Sequence, residues 1–460
     1  MSSSKGAASN LAVEALLARA RARRASANTN DAATPDAIEA AAPTAAPAPG
    51  DVPESSYLIE QFDTYQALKL QKVLADQAGL ENPFFRMHES VASATSVIDG
   101  EEVLNFATYN YADLNGHPAV AAAAIDAIRL YGVSASASRL VSGERPPHRA
   151  LELGLADFYG VDDAVVLVSG HATNVTTIST LLGPRDLIVH DRLIHNSIYE
   201  GARLSGAQRR AVAHNDWQAV DALLARERSR FEKVLIVVEG VYSMDGDLAP
   251  LDKLIEVKKK HKALLMVDEA HALGVLGRTG KGAAEQFDVD PKDVDIWMGT
   301  LSKTLSGCGG YIAGCFELVE LMKLTAPGFV FSVGMPPGIA AASAKALEIL
   351  QEEPERVSAL QANGRLFVEL AKAAGLDVGR SAGYSVVPII VGGSALAARL
   401  STALGKRGLN VQPITYPAVE EGEARLRFFV TSAHTSQQIK QAVQTVAETL
   451  AELKASHGDG

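Results

Sequence analysis

Through the middle of the chain, short apolar runs alternate with longer stretches of helical periodicity. The apolar runs fall at residues 164–168, 187–190, 234–238, 263–267, 295–298 and 311–313, and helical patterns lie between most of them. Uninterrupted apolar runs suit strands buried on both faces. Their alternation with helices predicts an α/β fold with a mostly parallel sheet covered on both sides. Pro336-Pro337 breaks the pattern. Beyond it, helical periodicity over 339–351 and 355–374, strand patterns at 386–391 and 425–431, and a closing helix over 437–454 predict a smaller α+β domain. Ahead of the alternating region, Leu58, Phe62, Tyr65 and Leu68 recur at helical spacing within 57–77. Residues 95–106 read as a hairpin turned at Asp99-Gly100. The organisation expected is an arm over 1–55, a helix-and-hairpin segment over 56–105, a large domain over 106–335 and a small domain over 336–455.

At 460 residues the chain is long enough for two packed domains. Its net charge of −11 argues against general affinity for nucleic acid. No apolar run reaches the roughly 18 residues of a membrane span, and the N-terminus has no apolar core of a signal peptide. Cys308 and Cys315 are the only cysteines, too few for a disulfide framework, so a reducing cytoplasm is the expected location. Within the arm, 10–24 has the pattern of a short basic helix, and 25–55 is rich in Ala, Pro, Ser and Thr with almost no large apolar residue. That composition predicts a flexible linker. A docking element for a carrier protein and an organelle transit peptide are the alternatives.

The chemistry concentrates in two places. After the apolar run ending at Met298 comes Gly-Thr300-Leu-Ser302-Lys303, followed by a glycine-rich turn. The carboxyl end of a parallel strand is where α/β proteins keep ligands. A partly desolvated lysine there loses its proton readily and forms a Schiff base with an aldehyde cofactor. Thr300 and Ser302 are small donors suited to a phosphate beside it. Upstream, the run 263–267 leads straight into Asp268, with His271 three residues on. A carboxylate at one strand end and a lysine at a nearby one is what pyridoxal phosphate requires, the acid keeping the ring nitrogen protonated. Ser169-Gly170-His171 follows another strand and opens a helix, whose first amides attract an anion. Asp268-Glu-Ala-His271 also spells the acid box of a helicase, but that reading needs an upstream phosphate loop, and the sequence has none.

Several further strings occur in order: Thr108-Tyr-Asn-Tyr111, Ser138–Gly143 with His148, His195-Asn-Ser-Ile198, Glu239–Gly246, Arg425-Leu-Arg427 and Ala433-His-Thr435. With the acid and lysine stretches, they resemble the α-oxoamine synthases, a family of fold-type I pyridoxal phosphate enzymes, from about residue 57 to 452. The resemblance implies a C-acyltransferase that condenses a small amino acid (serine, alanine or glycine) with an acyl thioester and releases carbon dioxide, giving an α-amino ketone. It implies catalytic roles for Lys303, His195 and Asp268. His195 would stack on the cofactor ring, His271 would bond its phenolic oxygen, and Ser243 would lie near the ring. Gly170, His171, Thr300 and Ser302 would hold the phosphate, joined by Ser332 from a partner subunit. Arg427, rather than its neighbour Arg425, would hold the substrate carboxylate, because a planar fork matches a carboxylate in two bonds. Tyr109 and Asn110 would enter from the neighbouring subunit of a homodimer. Arg139 and His148 fit the motif with roles open between structure and function.

Thr108–Tyr111 and Gly240–Met244 look most like the serine palmitoyltransferase-like branch. Tyr416-Pro-Ala-Val419 resembles the glycine-using ligase branch. The whole also resembles polyketide-pathway members, for which an acyl carrier protein replaces coenzyme A as the implied donor. His171 stands where the family usually has an aromatic residue, and 132–138 lacks glycines found elsewhere near the acyl path. An aminotransferase of the same fold would share the lysine and aspartate but lacks the other strings as a set.

Overall fold

The computed structural model describes residues 52–77 and 79–456, so the expected arm lies almost entirely outside the described residues. The chain divides after Asn82 into two compact units. In the first, two 3-10 turns, Glu54–Ser56 and Ile59–Gln61, precede the helix Asp63–Gln77. Leu58 and Phe62, read as helical positions, are the residues bordering the second turn.

The second unit opens with the hairpin β1 (Thr95–Ile98) and β2 (Glu101–Asn105). Asp99 and Gly100 have φ of 55° and 77°, the backbone of a two-residue turn whose twist matches its strands. The strands that follow are β3 (Asp163–Leu167), β4 (Leu187–Asp191), β5 (Gln208–Val212), β6 (Val234–Glu239), β7 (Leu264–Asp268), β8 (Ile296–Thr300) and β9 (Gly310–Gly314). They form one sheet in the order β3-β9-β8-β7-β6-β4-β5. All neighbours are parallel except β9, which runs antiparallel to β3 and β8. The inner strands are apolar up to their carboxyl ends because helices cover both faces, as doubly covered parallel sheets require. Edge strand β5 (Gln-Arg-Arg-Ala-Val) has no fully buried residue and no apolar run, and the hydrophobic pattern alone did not predict it.

The C-terminal part of this unit adds β10 (Val386–Gly392), β11 (Leu409–Asn410), β12 (Gln412–Ile414) and β13 (Ala424–Phe429), with the antiparallel order β10-β13-β12. β11 pairs with β2 in parallel, Leu409 opposite Leu104 and Asn410 opposite Asn105. The hairpin thus falls in the second unit, where β2 pairs with a strand from the C-terminal part of the chain. The physical reason is next door. Phe106 is fully buried between Phe367 and Phe428, with ring centroids 5.7 and 5.5 Å away, and stacks on His434 at 4.1 Å. Edge-to-face packing of this kind adds to the burial of each ring.

In the large sheet, register brings Glu239 level with Asp268, and Asp268 level with Met298. Asp191, Glu239, Asp268 and Thr300 thus end adjacent or near-adjacent strands on one edge of the sheet, and the loops beyond them build the site. One of these loops is held by a histidine with no sequence signal. His214 lies between Asp191 and Asp247, with Nδ1 3.0 Å from both Asp191 oxygens and Nε2 2.7 Å from Asp247 Oδ2. Desolvation lowers its pKa, but the hydrogen bonds to Asp191 and Asp247 outweigh it and raise the value to about 9. A folded pKa above the ordinary 6.5 means a stabilising contribution complete below pH 6.5 and lost as pH rises through about 9. Thermal midpoints should fall over that window, and His214→Asn should flatten the slope. Identical slopes for the two proteins would contradict the assignment.

Candidate active site

Thr300, the last residue of β8, donates from Oγ1 to the Gly309 carbonyl at 2.9 Å, and the Ser302 amide donates to the same hydroxyl at 3.2 Å. These bonds close a tight loop. Gly309, at φ 148°, passes so near β3 that a Cβ there would come 2.5 Å from the Leu167 carbonyl oxygen, so only glycine fits. The loop carries Lys303 back over the strand ends. Its Nζ lies 5.4 Å from the centre of the Tyr109 ring. Burial lowers the pKa of the amine to about 8, against the pull of Asp268 and Glu239. Near neutral pH a useful fraction is therefore the free base, the form that forms an imine or takes a proton.

Asp268 ends β7 and is buried. Its Oδ2 accepts from Asn174 Nδ2 and its Oδ1 from the Ala270 amide, each at 2.9 Å. His271 is buried with Nδ1 2.7 Å from the Tyr111 hydroxyl. Burial, reinforced by Lys303, Arg427 and His195, holds its pKa well below 6.5, so it is neutral. Glu239 is pushed the other way. Burial and then Asp268 raise its pKa well above the carboxyl range. Its Oε2 accepts from the Ser243 amide at 3.2 Å, and Oε1 has no partner among the described residues.

The helix Gly170–Leu181 starts behind Ser169, whose Oγ accepts from the Ala172 amide. The first amides of a helix have no partner inside it. A Cβ at Gly170 would come 2.9 Å from Thr300 Oγ1, so glycine leaves the gap between helix start and hydroxyl open. Amides and hydroxyl together make an anion cradle. The His171 ring stands exposed at this end, edge-on to His195 with centroids 6.3 Å apart. Burial, then Lys303, His171 and Arg427, lower the His195 pKa below 6.5 against the opposing pull of Asp268.

Arg427 and Arg425 project from the same side of β13, as residues two apart on a strand do. Arg425 is committed: it pairs with Asp245 at 2.8 Å and donates to the Glu423 carbonyl. Arg427 lies over the Phe429 ring at 4.8 Å and donates from Nη1 to the Ser243 carbonyl at 3.0 Å. Its Nε is buried with no partner among the described residues. Arg427 is thus the guanidinium with donors to spare. Charge-assisted bonds are worth about 1.5–3 kcal/mol, so Arg427→Gln should raise KM for a carboxylate-bearing substrate, such as the amino acid the resemblance implies, by roughly ten- to a hundredfold. Steady-state kinetics with the amino acid varied checks this, and an unchanged KM would refute it.

Tyr109, Gly170, His171, His195, Ser243, Asp268, His271, Thr300, Lys303 and Arg427 all line one cavity of about 240 Å³. Ser302 lines a neighbouring cavity of about 250 Å³ that shares Lys303 and Tyr109. Tyr109 lines the cavity of its own chain, edge-on to Phe429 at 4.6 Å and His271 at 6.0 Å. Asn110 is not free to bind substrate. Its Oδ1 accepts from the Leu114 and Asn115 amides, and its Nδ2 donates to Ala92 O and Asp113 Oδ1. Ser332 is not among the residues lining its own chain's cavity. Arg139 and His148 are structural. Arg139 is buried against Glu144 and Glu152, and His148 bonds the Met335 carbonyl and the Arg145 amide. Asn174, Ser197 and Tyr111 complete the site and were not singled out as site residues from the sequence. The available cue was position: Asn174 is one helical turn past Gly170, and Ser197 sits two residues past the cap His195.

These groups fit pyridoxal 5′-phosphate. The buried Asp268 suits a protonated ring nitrogen, the gap at Gly170 suits a phosphate, and Lys303 supplies the amine. The aminotransferase class I and II profile matches residues 101–446. An 8-amino-7-oxononanoate synthase of Symbiobacterium thermophilum is 39% identical over 82% of this chain and 95% of its own length. The serine palmitoyltransferase of Sphingomonas wittichii superposes with TM-score 0.81 at 31% identity, covering 85% of this chain and 98% of that one. A serine palmitoyltransferase solved with PLP gives TM-score 0.80 at 31% identity over 86% and 99%. The chain belongs to the aminotransferase class I and II family and has the fold-type I architecture of PLP-dependent transferases. Within that family it is an α-oxoamine synthase, a C-acyltransferase with pyridoxal 5′-phosphate as cofactor. The helicase and aminotransferase readings fall away. By identity the oxononanoate synthases stand nearer than the serine palmitoyltransferases, so the branch suggested by Thr108–Tyr111 is close but not the better match. No helix among the described residues is long and apolar enough to cross a membrane.

Proposed function

We propose that the enzyme joins serine, alanine or glycine to an acyl thioester, carried on coenzyme A or an acyl carrier protein, with loss of the amino acid's carboxyl as carbon dioxide. The observation that carries this reading is one cavity holding both the Lys303 amine and the Arg427 guanidinium, whose Nε has no partner among the described residues. Arg427 grips the amino-acid carboxylate. Lys303, partly neutral, removes the α-proton and later returns one. His195 orients the thioester carbonyl. The bound cofactor supplies an electron sink, with Asp268 stabilising the positive charge on its ring nitrogen.

A homodimer in the cytoplasm is part of the same reading. Ser332 sits between the exposed side chains of Phe331 and Val333, where a partner's phosphate site would meet it, and both cysteines are free. The test is carbon dioxide release with each amino acid and long acyl thioesters on both carriers, together with mass in solution. Release with a small amino acid, dependent on thioester, supports the reading. No release with any pair would refute it, and an active monomer would remove the shared site.

A further inference from the structure

A buried chain of hydrogen bonds ties the Asp268 carboxylate to the His195 ring, and its two middle members, which also line the cavity, have no role in the reading above. Asn174 is 1% exposed and Ser197 is fully buried. Asn174 lies on the helix Gly170–Leu181, and Ser197 is the second residue of the helix Asn196–Ser205, which His195 caps.

The direction of each bond can be fixed in turn. An ionised carboxylate only accepts, so the amide atom 2.9 Å from Asp268 Oδ2 is the nitrogen of Asn174. Turning that amide over would set its oxygen against the carboxylate. The same Nδ2 reaches Ser197 Oγ at 2.9 Å with its second hydrogen. Ser197 Oγ accepts there, and its single proton goes to its other neighbour, His195 Nδ1 at 2.7 Å. The Ser197 amide also points at Nδ1, at 3.3 Å. Nδ1 is therefore an acceptor twice over and carries no hydrogen.

We infer that Asn174 and Ser197 are positioning residues that lock neutral His195 in the tautomer with its proton on Nε2, so that the ring offers the cavity a hydrogen-bond donor and not a base. Which nitrogen carries the proton is set by the bond the other makes. The oxygen that receives this bond, a substrate carbonyl or carboxylate, rests on the proposed condensation. The consequence inside the site is a division of labour: proton removal falls to Lys303, and His195 contributes a fixed dipole aimed at oxygen. The wrong tautomer would turn a lone pair toward that oxygen and repel it.

The test uses the holoenzyme labelled with ¹⁵N-histidine, without substrate, and long-range nitrogen–proton correlation spectra. The His195 signals are identified by their loss in His195→Gln. The wild type should show His195 protonated at Nε2 alone. Ser197→Ala should give a mixture or the Nδ1-protonated form, and Ser197→Thr, which keeps the hydroxyl, should restore the wild-type pattern. Turnover in Ser197→Ala should drop by roughly ten- to a hundredfold, the scale for a misaligned catalytic group, and recover in Ser197→Thr. An Nδ1-protonated ring in the wild type, or an unchanged tautomer in Ser197→Ala, overturns the inference. The spectra need no substrate, so failure of the condensation assay with the tautomer intact would sink only the proposed reaction.

Discussion

Lys303→Ala is expected to lower turnover by at least 10²–10⁴-fold, the range for losing a positioned general base, and to remove the visible absorption of the bound cofactor. The expectation follows from placement. The amine is partly buried at the end of β8, its pKa is brought down to about 8 by desolvation, and it shares a cavity with the acid, the anion cradle and the Arg427 guanidinium. Neither Thr300 nor Ser302 can replace it, since a hydroxyl forms no imine. The loop itself should survive, because it is closed by Thr300 and Gly309 and not by the lysine side chain. Unchanged thermal stability with lost absorbance and lost turnover is the full prediction. A variant that keeps its colour and a tenth of its activity would contradict it.

Asp268→Asn should cost nearly as much. Breaking a buried charge pair by removing one partner costs about 3–5 kcal/mol, which corresponds to roughly two to four powers of ten in rate if the loss is felt in the transition state. The substitution keeps shape and volume, so packing at the end of β7 should hold. It removes the charge that stabilises the protonated ring nitrogen, and it also disturbs the chain through Asn174. The expected result is a cofactor that still binds, with a shifted absorption band and little turnover. Near-normal kcat would show that the ring nitrogen does not depend on this carboxylate.

Much of this site could be read from the sequence, for a definite physical reason. Asp268 and Lys303 each follow an apolar run that reads as a buried strand, and parallel strands deliver their last residues to one edge. Gly170 follows the same logic at a helix start. What escaped is what depends on packing. His214 is tied to Asp191 and Asp247, 23 and 33 residues away in the chain, with no local periodicity to mark it. Asn174 and Ser197 are ordinary polar helix residues until their helices pack side by side. Arg425 and Arg427 look equivalent on the strand, and only Asp245 across the gap separates the ion-paired one from the one with no carboxylate partner. Tyr109 and Asn110, neighbouring letters of one motif, are placed differently within the chain, one lining the cavity and one pinning a turn. The same holds for the fold. β5, β11 and β12 are edge or very short strands with little apolar signal, and the helix Ser394–Lys406 was likewise not anticipated.

The most direct test of the account is to reduce the holoenzyme with borohydride, digest it and locate the cofactor by mass spectrometry. The account predicts that the pyridoxyl phosphate mass is found on the peptide containing Lys303. Finding it on another lysine, such as Lys281 in the loop beyond Asp268, or finding no modified peptide from a fully loaded enzyme, would contradict it.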